Sequence, residues 1–220
     1  MRNTEEIIKP FLLCCESKNT KLITLALSAL HKLVSHGAVP DGGISIIIET
    51  LHRLVGESDE VVQLKIFQVG LVALTSNLDE INLQTLSKFF TVCFQLLENK
   101  SIAIQQTGTV TLRQACNVIF ESAQKKKSES AAFLFIDLSH FAAGENGKWI
   151  KTTTIPSRSL VYELIENIID TYTDVLQTPE FSSLVTDRIL QLVFLKTNEF
   201  TEIGFSLISS LSSKKGLFYE

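Results

Sequence analysis

Only four prolines and ten glycines interrupt the 220 residues, and there is one tryptophan and one methionine. So few breakers exclude a loop-rich or low-complexity chain. No apolar run approaches the roughly 18 residues that a membrane-spanning helix needs. Period-two alternation, the mark of a half-buried strand, is missing as well. Positive charge is not in excess: the net charge is −4 and the pI is near 5.6. That balance argues against nucleic acid as a partner, which requires a concentrated basic face. The opening MRNTEEIIKPFLLCC lacks the basic region, apolar core and small-residue cleavage site of a signal peptide.

Chemistry-bearing motifs are equally scarce. Cys14, Cys15, Cys93 and Cys116 have no C-x-x-C spacing and sit among apolar residues. They read as small buried hydrophobes in a reducing compartment, not as zinc ligands. His31, His36, His52 and His140 fall on different helices or helix ends, where they do not converge on one point. Gly144-Glu145-Asn146-Gly147-Lys148 has the wrong spacing for a phosphate loop, and Trp149 follows where a hydroxyl residue is needed. No Ser, Cys or Lys has a recognisable base beside it. No cofactor, metal or enzymatic activity is expected. Asn99-Lys100-Ser101 matches a glycosylation acceptor, but Ser101 has a better use as a helix cap.

What is present is helical periodicity. Apolar residues at helical spacing predict helices over about 4–16, 20–35, 43–55, 59–75, 82–98 and 102–123. Further helices are predicted over about 131–143, 157–172, 179–196 and 199–211. Pro10 predicts a kink or break near Ile8. Gly37 stands where a left-handed cap is required. Ser58 is the expected cap of the fourth helix, which is apolar all round and so belongs inside a stack. Gly108, mid-helix, predicts a close crossing. The strings Leu30-His31-Lys32-Leu33-Val34 and Leu51-His52-Arg53-Leu54-Val55 are 21 residues apart, one helix plus one turn. Two such units make about 42 residues, the period of HEAT or armadillo helix pairs. The expected fold is all-α: an armadillo/HEAT-like, right-handed helical repeat array of about nine or ten helices. The expected organisation is one domain over 1–220, with a first stack at 1–127, a joint at 130–150 and a second stack at 156–211. Because helix begins almost at once, a fragment of a longer protein, or a domain missing its first helix, is expected.

The joint is where candidate sites fall. Its short helix carries Phe133, Leu134, Phe135, Ile136, Leu138 and Phe141 and is expected to be buried between neighbours. Trp149 is expected to plug the joint, with Glu145 and Lys148 facing water. The competing reading makes Glu145, Lys148 and Trp149 a partner-binding tip, since aromatics dominate interface hot spots. Lys125, Lys126 and Lys127 are a candidate membrane-facing cluster. Three lysines are fewer than the usual 4 to 8 of a polybasic signal, so a solvated loop is the better expectation.

Four strings in order carry a resemblance. They are Thr111-Leu112-Arg113-Gln114 leading to Val118-Ile119-Phe120-Glu121; Ala132-Phe133-Leu134-Phe135-Ile136-Asp137-Leu138 with Trp149-Ile150; Tyr162-Glu163-Leu164-Ile165-Glu166; and Pro179-Glu180-Phe181-Ser182-Ser183-Leu184. Together with Ile8-Lys9-Pro10-Phe11-Leu12 they resemble the N-terminal dimerisation and cyclophilin-binding (DCB) domain of the monensin-sensitivity Golgi scaffold family. Those proteins are relatives of the large Arf guanine-nucleotide exchange factors. The resemblance implies an armadillo-like scaffold without the catalytic exchange domain, cytoplasmic and peripheral on trans-Golgi and endosomal membranes. It implies an Arf-like small GTPase and other trafficking scaffold or flippase-complex proteins as partners, with self-association. Lead-in helices usual in the family before Asn3 are absent, and Ser122 stands where an arginine is common.

Overall fold

A computed structural model describes residues 5–40, 42–126, 129–176, 178 and 181. Every regular element among them is helical. In order they are α1 (Glu5–Cys15), α2 (Thr20–Ser35), α3 (Gly43–Arg53), α4 (Glu60–Asn77), α5 (Leu83–Leu96), α6 (Ile102–Lys125), α7 (Glu129–Ala143), α8 (Arg158–Thr171) and α9 (Thr173–Leu176). Single 3-10 turns, Leu54–Gly56 and Leu78–Glu80, finish α3 and α4. The all-α helical array read from the periodicity is therefore the observed architecture.

Local chemistry sets the boundaries. The Asn19 carboxamide accepts from the N–H groups of Lys21 at 3.0 Å and Leu22 at 3.3 Å, which starts α2. Gly37, at φ 62°, ends it. Its N–H donates to the Val34 carbonyl at 3.0 Å while Ala38 N–H reaches Leu33 at 2.9 Å, the paired bonds of a Schellman cap. Asn82 caps α5 through Thr85 N–H at 2.8 Å. Two expectations need correction. The cap of α4 is Asp59, not Ser58: its extended backbone lets the carboxylate accept from Val62 N–H at 3.1 Å. Pro10 lies inside α1, so of the kink or break expected near Ile8 the break does not occur. The bond that proline forgoes would go to the Glu6 carbonyl in the first turn, an exposed residue that water can serve.

The chain divides into two compact units, Met1–Ala115 and Cys116–Glu220, so the division falls within α6. In the first unit the odd helices α1, α3 and α5 touch in sequence as one layer, and α2 lies along α4 in the other. The layers meet through α1 with α2, α3 with α4, and α4 with α5. Leu27 and Leu30 of α2, Ile47 and Leu51 of α3, Phe67 of α4 and Phe90 of α5 are all buried. Leu30 and Leu51 hold the same place in the two repeated strings, so the repeat marks equivalent core positions in the two layers. Gly108 marks the predicted crossing: a Cβ there would lie 2.5 Å from Leu97 Cδ2 and 2.8 Å from Phe67 Cζ. Leu22 and Leu25, counted with the apolar residues of α2, are in fact 42% and 68% exposed.

In the second unit α7 packs on α8. Leu134, Phe135, Leu138 and Phe141 are buried, as are Val161, Leu164, Ile165 and Ile168. Asn117 of α6 accepts from Asn167 Nδ2 at 2.9 Å and, through its carbonyl, from the Tyr172 hydroxyl at 3.2 Å. Phe120 sits 5.6 Å from the Tyr172 ring and 6.1 Å from Phe181. The helices predicted over 179–196 and 199–211 lie outside the described residues, apart from Phe181.

Candidate functional site: a clamped loop after α7

The α7 helix, expected to be buried between neighbours by its apolar residues, has some of these outside and polar ones inside. Phe133 is 40% exposed and Ile136 half-buried, whereas Asp137, Ser139 and His140 are buried. A buried polar group needs partners, and each of these side chains has at least one, although His140 Nε2 is buried without any among the described residues. The Ser139 hydroxyl donates to the Phe135 carbonyl at 2.8 Å. His140 Nδ1 bonds Glu145 Oε2 at 2.7 Å. Asp137, only 1% exposed, holds the loop. Its Oδ1 accepts from Lys148 N–H at 2.8 Å, and its Oδ2 from Trp149 N–H at 2.8 Å and Ile150 N–H at 2.6 Å. Three successive amides thus converge on one carboxylate, a short anion nest built within the chain.

Glycine makes this approach feasible. A Cβ on Gly147 would lie 2.8 Å from Asp137 Oδ2 and 2.7 Å from the Ile150 carbonyl oxygen. At the other end of the loop α7 closes in a Schellman cap. Gly144, at φ 80°, donates to Phe141 at 2.9 Å, and Glu145 N–H to the His140 carbonyl at 2.8 Å. Ile150 is fully buried and Lys151 Nζ returns to the Lys148 carbonyl at 2.6 Å. The loop 144–151 is therefore pinned at both ends and its middle.

Each predicted site residue can now be placed. Trp149 is half-buried, its ring 6.1 Å from Phe133 and 31° from parallel. It is not the sealed plug expected; the side chain left at the bottom of the loop is Ile150. Glu145 and Lys148 are exposed on the same loop, with Glu145 held by His140. Lys125 and Lys126 are exposed at the end of α6, and Lys127 lies outside the described residues. Sequence reasoning missed Asp137 and His140. The signal was available: the one acid beyond the first turn of an apolar helix, followed about two turns later by a Gly-containing loop whose backbone could satisfy it. Among the described residues no group of His, Cys, Asp and Glu could hold a metal ion, and no helix is long and apolar enough to cross a membrane.

The clamp, the amphipathic helices and the repeat periodicity describe a helical repeat module, and comparison with known proteins gives it a family. The family model for the Mon2/Sec7/BIG1-like dimerisation and cyclophilin-binding domain matches residues 1–127. The Protein MON2 homolog of Xenopus laevis is 30% identical over an alignment covering 87% of this chain and 13% of that protein. The Homo sapiens Protein MON2 homolog gives the same identity and coverage. Brefeldin A-inhibited guanine nucleotide-exchange protein 1 of Rattus norvegicus is 31% identical over 135 residues, 56% of this chain and 7% of that protein. The chain thus spans about an eighth of the length of the MON2 homologs it matches. No solved structure matches. With more than half of its length under the family model, the chain belongs to the Mon2/Sec7/BIG1-like DCB domain family.

Proposed function

We propose that this chain is a non-catalytic helical scaffold module of vesicle trafficking between the Golgi and endosomes, working from the cytoplasm at trans-Golgi and endosomal membranes. In this reading it binds an Arf-like small GTPase and other trafficking scaffold or flippase-complex proteins, and it self-associates. The observation that carries the reading is the family match over residues 1–127 together with the likeness to MON2 homologs across most of the chain. The clamped loop supports it. A half-buried tryptophan on a half-exposed phenylalanine offers the aromatic anchor of a protein-binding hot spot, with Lys148 and Glu145 in the position of its polar rim. Because the loop is held by its backbone, binding it would cost little ordering entropy.

The test is capture of the 220-residue chain on an immobilised Arf-like GTPase loaded with GTP or with GDP. Capture should favour the GTP form, and Trp149→Ala and Lys148→Glu should each weaken it while leaving the melt cooperative. Equal capture by both nucleotide states overturns the GTPase reading. Undiminished capture of both variants places the contact away from this loop. A second reading is favoured by the 31% likeness to an exchange protein: a regulatory domain of a large Arf exchange factor. In that case adding the chain to the catalytic part of such a factor changes its exchange rate, whereas the chain alone accelerates nothing in either reading.

A further inference from the structure

The outward face of the α2–α4 layer has a composition that neither the core nor the clamped loop explains. On α2 the buried stripe is Ile23, Ala26, Leu27, Leu30 and Val34. The opposite side carries Lys21, Leu22, Leu25 and Lys32, with Ala29 at its edge, by the helical spacing of three and four. Leu25 is 68% exposed and Leu22 42%. On α4, which lies along α2, the outward side carries Val61, Lys65, Gln68 and Val72, and Val61 is 52% exposed. No acidic residue occurs between Thr20 and Ser35 or between Val61 and Asn77. Acidic residues flank these stretches in sequence: Glu16, paired with Arg53 at 3.1 Å, and Asp41 around α2; Asp59, which caps α4, Glu60, which accepts from the Ser101 hydroxyl, and Asp79 around α4. The charged side chains between those limits, Lys21, Lys32 and Lys65, are all cationic in a chain whose net charge is −4.

We infer that this face docks on an anionic lipid surface, its leucines entering the headgroup boundary and its lysines neutralising lipid phosphates. Three lysines fall short of a polybasic signal by themselves, so the exposed Leu22, Leu25 and Val61 must supply the rest, and aliphatic side chains flanked by lysine are the pattern of interfacial helices. Protein interfaces are instead enriched in aromatic residues and arginine and depleted in lysine, and this face has no aromatic residue and no arginine. A second copy of the same face would set lysine against lysine with no acid to pair. The inference rests on the proposed work at membranes and assigns the contact to the first unit; it is independent of what binds the clamped loop.

The experiment is co-sedimentation of the 220-residue chain with vesicles of phosphatidylcholine, with and without phosphatidylserine. The chain should sediment with the anionic vesicles only, and less so as salt rises. Each lysine near such a surface contributes roughly fivefold in partitioning, so Lys21→Glu/Lys32→Glu should lower binding by at least about tenfold. Leu25→Glu, at a residue already exposed, should also release the chain. Circular dichroism melts of both variants should match the parent. Three outcomes overturn the proposal: no sedimentation with anionic vesicles; binding that survives both variants but falls with Lys125→Glu/Lys126→Glu; or a parent chain that self-associates in solution and becomes monomeric with Leu25→Glu.

Discussion

A single carboxylate fixes the geometry of the loop after α7. Asp137 is buried and accepts three backbone N–H groups, of which the Ile150 amide is itself buried. Removing the acceptor strands that donor, and a stranded buried donor costs about 1–3 kcal/mol. Asp137→Ala should therefore destabilise the chain by about 2–4 kcal/mol, since the other two amides also lose a charged acceptor. At about 2–4 °C per kcal/mol, a thermal melt reads this directly. Asp137→Asn is the informative control. Its carbonyl can still take the Trp149 and Ile150 amides, and only exposed Lys148 must turn to water, so its cost should be nearer about 1 kcal/mol. Equal losses from the two substitutions would mean that packing, not hydrogen bonding, holds the loop. The cysteines make a second residue-scale case. Cys15, Cys93 and Cys116 are buried and Cys14 is half-buried. Burial pushes the Cys15 thiol up to about 11 and Cys116 up to about 12. Only thiolates react, so thiol titration of the native chain at neutral pH should label Cys14 first and the other three only after denaturation.

At the scale of helices, two contacts decide how neighbours sit. Gly108 lets α6 approach α4 and the end of α5. A Gly108→Ala methyl would run into Leu97, which can turn aside, and into the tip of fully buried Phe67, which cannot. The overpacking, about 1–3 kcal/mol, should outweigh the roughly 1 kcal/mol that alanine gains in a helix, giving a net loss on a denaturant melt. Between α3 and α5, Lys88 donates to Glu49. That hydrogen bond is the main cause holding the Glu49 carboxyl below its ordinary 4.5. The contribution is therefore complete above pH 4.5 and disappears as pH falls through the lower folded value. Both side chains are more than a third exposed, so the effect should stay below about 1 kcal/mol. Glu49→Gln should lower the melting temperature slightly at pH 7 and not at all in strong acid. The helices themselves were legible because their signals are local. Gly37 stops α2 and Asn82 starts α5, as their residue types predict. The Ser58-Asp59 pair offered two residues that can cap, and only the backbone shows which one turns inward. Pro10 did not end α1, because the one bond it forgoes is to the first turn, where water can take the free carbonyl. The loop at 144–151 was legible as a change of character, but not as a clamp. Its holding bonds run from a side chain to backbone amides, which leave no periodicity in the sequence.

For the whole chain, the family match ends at residue 127, whereas the compact units divide between Ala115 and Cys116. The C-terminal half of α6 therefore has its neighbours beyond the match. Cys116, Ile119 and Phe120 are fully buried, and Phe120 meets Tyr172 and Phe181. A fragment of residues 1–127 should fold but expose this apolar strip, melting below the full chain and binding an apolar dye that the full chain does not. Equal melts without dye binding would show that the strip is satisfied within the fragment. The same wider view applies to the clamp. Asp137 grips amide hydrogens, which every residue but proline supplies, and it makes no demand on the side chains at 148 and 149. The loop's shape is thus indifferent to what its tip displays. Residues there can be exchanged for others of different charge or size while the mounting stays the same. One rigid platform could in this way present different tips to different partners, and a foreign recognition motif grafted at 148–149 should adopt the host's backbone.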